Sequence, residues 1–142
     1  MGVATSAAFA VACGSGRNDP NSRDAGTFSL DRSHKLLGAD EIRESAIGNT
    51  LVGEVYDGEG FELYLKSDGV AHLRMQLGRV EAGTWDLRPE GEIVSQWPTI
   101  ANGERLEHRY YQHPGSGMYK GLAGLRWCTF RIEQGDSRGL DL

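Results

Sequence analysis

At 142 residues, with a formal net charge of −5 and two cysteines, the chain has the size of one domain that buries its core without disulfide or metal staples. The acidic balance argues against a nucleic-acid binder, which carries a basic surface, and equally against electrostatic docking on an anionic membrane. Its 20 glycines are scattered, mainly where turns are expected, which is the composition of a Gly-rich all-β domain and not of a low-complexity chain.

Residues 1–16 carry no charge, and the first charged side chain is Arg17. An Ala-rich apolar run that ends in small residues has the look of a secretory h-region and cleavage site, so residues 1–13 read as a signal or lipoprotein-like export segment. Ala10-Val11-Ala12 fits the small-x-small cleavage pattern, and with Cys13 it forms a degenerate lipobox in which Cys13 would be lipidated. The Leu three places before Cys13 and a basic n-region are both missing. The alternative is an Ala-rich tail or buried helix, since the run is far too short to span a bilayer. Residues 14–35 are polar with few hydrophobes and read as a flexible tether. The expected location is the periplasm or cell envelope, with membrane contact only through a lipid anchor at Cys13.

Residues 36–142 read as a single β-rich domain. Leu36 to Ile47 is the one helix candidate: Asp40 and Glu41 suit the first turn, Ile42 and Ala46 share a face, and Gly48 is a ready stop. Strands are expected at 50–56, 61–66, 70–77, 83–88, 92–97, 106–112 and 125–133, divided by Gly- and Pro-containing turns. Residues 113–124 form the longest irregular stretch and read as a mobile loop at the mouth of a barrel.

The most legible pair is 61–66 with 70–77. Phe61, Leu63 and Leu65 alternate with polar residues, as do Ala71, Leu73 and Met75. A two-residue loop would set Leu63 against Arg74. A three-residue Ser67-Asp68-Gly69 loop with Gly in the left-handed region pairs Leu65 with Ala71, Leu63 with Leu73 and Phe61 with Met75. On the other face it pairs Glu62 with Arg74 and Tyr64 with His72. Parity further predicts Met75 facing Trp85 and Leu87 facing Ile93. The fold class is therefore mainly β, an antiparallel meander closing into a small barrel or curled sandwich, with one short N-terminal helix.

No nucleophile elbow, phosphate loop, Cys-x-x-Cys or calcium loop stands in the chain, so no catalytic residue, metal or cofactor is assigned. His108 and His113, five apart, share neither a helical nor a strand face. Cys128, in phase with Phe130 and Ile132, reads as a small buried hydrophobe. The group that remains is Glu62, Tyr64, His72 and Arg74 on one hairpin face, with Tyr119 in the glycine-rich loop. It is a candidate site for a small polar or anionic ligand if that face lines the barrel, and a set of ordinary cross-strand pairs if it faces solvent. The solvent reading is preferred, because the opposite face is the more apolar and must be the core. The functional expectation is an exported non-catalytic binding or interaction domain, partnered by a small molecule or another envelope protein. The alternative is a small barrel enzyme (isomerase, lyase or hydrolase) that uses His72 as general base in the barrel interior.

The order of short signals resembles a loose family of small exported bacterial proteins of unknown function. The residues that carry the likeness are Leu37-Gly38-Ala39-Asp40-Glu41-Ile42, Gly48-Asn49-Thr50, Asp68-Gly69, Gly83-Thr84-Trp85 and Trp127-Cys128. The resemblance implies a β-domain and export and brings no activity with it. It also implies a cysteine near Trp97 as partner for Cys128, and this chain has none there.

Overall fold

The computed structural model describes residues 34–76, 78–123 and 126–141; the expected export segment over residues 1–13, with Cys13, and residues 14–33 of the expected tether lie outside the described residues. The chain runs β1 (Lys35–Leu36), α1 (Ala39–Ser45), β2 (Thr50–Val55), β3 (Gly60–Leu65), β4 (Val70–Met75), β5 (Val80–Leu87), β6 (Glu92–Gln96), β7 (Leu106–Gln112), β8 (Tyr119–Ala123) and β9 (Arg126–Glu133). Strands β2 to β9 pair in sequence order, all antiparallel, and β9 pairs back onto β2, so the meander closes into an eight-stranded barrel. The short β1 adds to β7 outside this ring.

The β3–β4 hairpin has the register that parity demands: Leu65 opposite Ala71, Tyr64 opposite His72, Leu63 opposite Leu73, Glu62 opposite Arg74 and Phe61 opposite Met75. Gly69 closes the turn at φ 92°, a conformation that costs a side chain strain, while the Asp68 carboxylate accepts from the Val70 N–H at 3.0 Å. Leu87 faces Ile93 as expected. Met75 does not face Trp85: β5 begins at Val80, three residues earlier than the alternation suggested, and Gly83 stands opposite Ala71. The outward residues Val80, Ala82 and Thr84 are exposed, so the amino end of β5 lacks the apolar/polar contrast by which a strand is recognised.

Two further departures have local causes. The helix does not begin at Leu36, because Lys35–Leu36 pairs with Tyr111–Gln112 instead. Gly38 is the N-cap, its N–H donating to the Glu41 carboxylate at 2.9 Å, and Gly48 at φ 84° follows the last turn. The stretch 113–124 is not one mobile loop, since its second half is β8. Gly121 hides that strand from the sequence, being a residue that weakens strands in general. A Cβ there would stand 3.0 Å from Cys128 Sγ and 3.4 Å from the Tyr110 ring, so close packing requires the glycine.

Along every barrel strand, alternate residues turn inward. Leu51, Phe61, Leu65, Ala71, Leu73, Ile93, Cys128 and Phe130 are all at most 4% exposed and form one core with Trp97, Tyr110 and Ile42 of α1. The seam between β9 and β2 is the tightest point. Gly53 lies opposite Phe130, and a Cβ on it would stand 1.9 Å from the Thr129 carbonyl oxygen and 2.6 Å from Phe130 Cα. Overpacking against backbone that cannot swing away costs about 1–3 kcal/mol or more. Gly53→Ala should therefore lower unfolding free energy by about 2 kcal/mol or more in urea denaturation. An unchanged midpoint would contradict the β2–β9 register.

Candidate functional site

Three places can be weighed as a site: the bore of the barrel, a notch beside α1, and the outer face of β2, β3 and β4. The bore is lined by Leu51, Phe61, Leu73, Trp97, Tyr110 and Phe130, among others, yet the space left is only about 20 Å³. That admits one water-sized group, whereas ligand pockets run to roughly 300–1,000 Å³. Eight strands give a bore just wide enough for side chains to fill, and here aromatic and branched residues fill it.

Polar atoms do enter the bore. Trp97 Nε1 donates to Ser95 Oγ at 3.2 Å, and His108, opposite Ile93, is 5% exposed beside them. Burial holds the His108 imidazole down to about 4, against an ordinary 6.5, because the apolar surroundings disfavour its cation. As pH falls from 6.5 to 4 the unfolded chain takes a proton that the folded chain refuses, so stability is full above 6.5 and is lost through this window. The loss from this residue is on the order of 3 kcal/mol. Urea denaturation at pH 7.5 and pH 4.5 should show wild type losing more stability than His108→Leu. Equal losses would contradict the buried neutral imidazole.

The notch beside α1 is an open depression of about 240 Å³ between the helix and the β7–β8 rim, lined by Leu37, Glu41, Glu44, Ser45, Gln112 and Tyr119. Tyr119 thus stands in β8, opposite Gln112 and Phe130, its ring stacked on Phe130 at 5.5 Å. It shares no face with the other four candidates. Glu41 is already engaged, capping Gly38 and paired with Lys35.

The outer face brings Glu62, Tyr64, His72 and Arg74 together. They alternate with the inward Phe61, Leu63, Leu65, Ala71 and Leu73, so they stand outside the barrel and not in its interior, contrary to the placement a barrel enzyme with His72 as base would need. Glu62 Oε1 accepts from Arg74 Nε at 2.8 Å, and the Tyr64 and His72 rings stack at 6.4 Å. The face is not bare. After β9 the chain turns back and crosses β2, β3 and β4 as residues 134–141. The Thr50 hydroxyl donates to the Gly135 carbonyl at 2.6 Å and accepts from the Ser137 N–H at 3.2 Å, and Asn49 Oδ1 accepts from the Gly135 N–H.

Arg138 is the centre of this crossing. Its Nε and Nη2 donate to the two oxygens of Glu133 at 3.0 and 2.9 Å, while Nη1 donates to Glu62 Oε2 at 2.9 Å. Arg138 above all, with help from Ser137 and Arg131, holds the Glu133 carboxyl down to about 2. Further along, Asp141 lies 3.2 Å from His72 Nε2 and 3.0 Å from Lys66 Nζ. Leu140, between Arg138 and Asp141 in the chain, is 3% exposed. Sequence reasoning missed Thr50, Lys66, Glu133, Arg138, Leu140 and Asp141. The run Asp136-Ser137-Arg138-Gly139-Leu140-Asp141 has no strand or helix period by which the sequence could place it.

Among the described residues no three or more His, Cys, Asp or Glu side chains converge as a metal site would require. Compared with protein-family models, curated proteins and solved structures, the chain matches none.

Proposed function

We propose that the chain is an exported, non-catalytic interaction domain that meets its partner across the outer surface of a filled barrel. The observation that carries the reading is the bore itself: about 20 Å³ is room for a water, not for a metabolite. Of the two ways in which such a domain works, holding a small ligand inside or docking on another envelope protein, the filled interior supports the second. The net charge of −5 favours a protein partner over nucleic acid. Export rests on the uncharged Ala-rich residues 1–13, with Cys13 as the point of lipidation or Ala12 as the last residue removed.

Mass spectrometry on protein taken from its host tests the reading at both ends. The intact mass should correspond to a chain beginning at Cys13, lipidated or free, and the native mass should carry no bound small molecule. Photo-crosslinking side chains placed at the exposed Val80 and Met118 report whether a protein is met at the surface, and a discrete adduct from at least one position is expected. A cytoplasmic species that retains Met1 would overturn export. A co-purifying small molecule that is lost in Leu73→Trp would overturn the filled-barrel reading. Turnover abolished by His72→Ala in a folded protein would establish the enzyme instead.

A further inference from the structure

We propose that the outer face of β2, β3 and β4 is a peptide-reading surface, that residues 136–141 occupy it in cis, and that its partner is a peptide segment that takes the same Asp-initiated turn, with an Asp-x-Arg-x-Leu-Asp pattern. The inference rests on the surface-interaction reading above and names the surface and the chemistry of its partner.

The face is polarised in the way a directional peptide needs. At one end Glu62 and Glu133 present carboxylates to Arg138; at the other, the Lys66 ammonium lies 3.0 Å from the Asp141 carboxylate, with the His72 imidazole 3.2 Å from it. Leu140, between Arg138 and Asp141 in the chain, is buried. The bidentate Arg138–Glu133 contact distinguishes a guanidinium from an ammonium, because only the planar fork satisfies both oxygens. The segment is also shaped for this seat. The Asp136 carboxylate accepts from the Leu140 and Asp141 N–H groups at 2.8 and 2.9 Å, which sets the spacing of the leucine and the acid before either touches the barrel.

The occupant is exchangeable. The β2–β9 ladder closes the barrel and the core fills it without any residue after Glu133 in a strand, so the segment is laid on a finished surface. Within residues 136–141 the charged anchors Arg138 and Asp141 are about a third exposed, and such ion pairs are individually weak, while the hydrogen bonds of Thr50 and Asn49 hold the turn at Gly135 and Ser137 that leads into them. A closed barrel offers no strand edge to extend among β2–β9, so a peptide is read here through side chains and not by strand addition. A tethered occupant competes at an effective concentration in the millimolar range, so a free peptide of equal intrinsic strength gains the seat only when the cis segment is weakened.

The test uses a fluorescent peptide of sequence Asp-Ser-Arg-Gly-Leu-Asp and the full chain, read by anisotropy. In the double variant Arg138→Ala/Leu140→Ala the receiving residues are intact and the cis occupant is crippled. This variant should bind the peptide at least about tenfold more tightly than wild type. Adding Glu62→Gln should reverse most of that gain, and a peptide with alanine in place of its arginine should not bind. Near-UV circular dichroism reports the state of the barrel. A folded double variant that binds no more tightly than wild type overturns the proposal, and so does a double variant that unfolds, since the segment would then be part of the fold. If surface cross-links at Val80 or Met118 still form, only this seat is lost; a small molecule held inside the barrel would remove the broader reading as well.

Discussion

Closure of the sheet between β9 and β2, around a bore that side chains fill, is the constraint on which everything else in this protein depends. Gly53 permits the approach, because no residue with a Cβ fits beneath the Thr129 carbonyl. Closure removes the exposed edges that an open meander would present and forces the large inward residues of eight strands into one space. Phe61 and Phe130 face each other across Gly53, while Trp97 and Tyr110 occupy the same interior. Little space remains in the bore.

Much of this was legible in the residues. Phe61 to Met75 alternates cleanly because one face meets the core and the other does not, so parity alone gave the β3–β4 register and the pairing of Glu62 with Arg74 and Tyr64 with His72. Where the contrast fades, the reading fades with it. The amino end of β5 has exposed outward residues and a glutamate at the inward position 81, and β8 contains the glycine that Cys128 and Tyr110 demand. Two residues, Lys35 and Leu36, make a strand only because β7 offers them an edge, and no local pattern encodes that.

The candidate site shows the same division. The four hairpin residues were found together because register is a local property. Their partners Arg138 and Asp141 come from more than sixty positions away, brought in by the turn after Glu133. Cross-strand pairs that would be ordinary on a bare sheet become a seat once that segment lies over them. Glu62 illustrates the change: one oxygen serves Arg74 on the neighbouring strand and the other serves Arg138 from the crossing segment. The acidic composition of the chain gives no hint of this pairing of opposite charges, since composition averages over surfaces that are locally polarised.

The central claim is that the barrel is filled, and truncation of one inward side chain tests it most directly. Leu73 is 1% exposed on β4 and lines what space the bore has. In a packed interior, Leu73→Ala should cost about 2–5 kcal/mol of unfolding free energy, the sum of lost apolar transfer and a cavity that the neighbours cannot close. Urea denaturation of wild type and variant under one condition measures it. A loss below about 1 kcal/mol, with the fold intact, would mean that Leu73 borders open space and that the bore is hollow, contradicting the account.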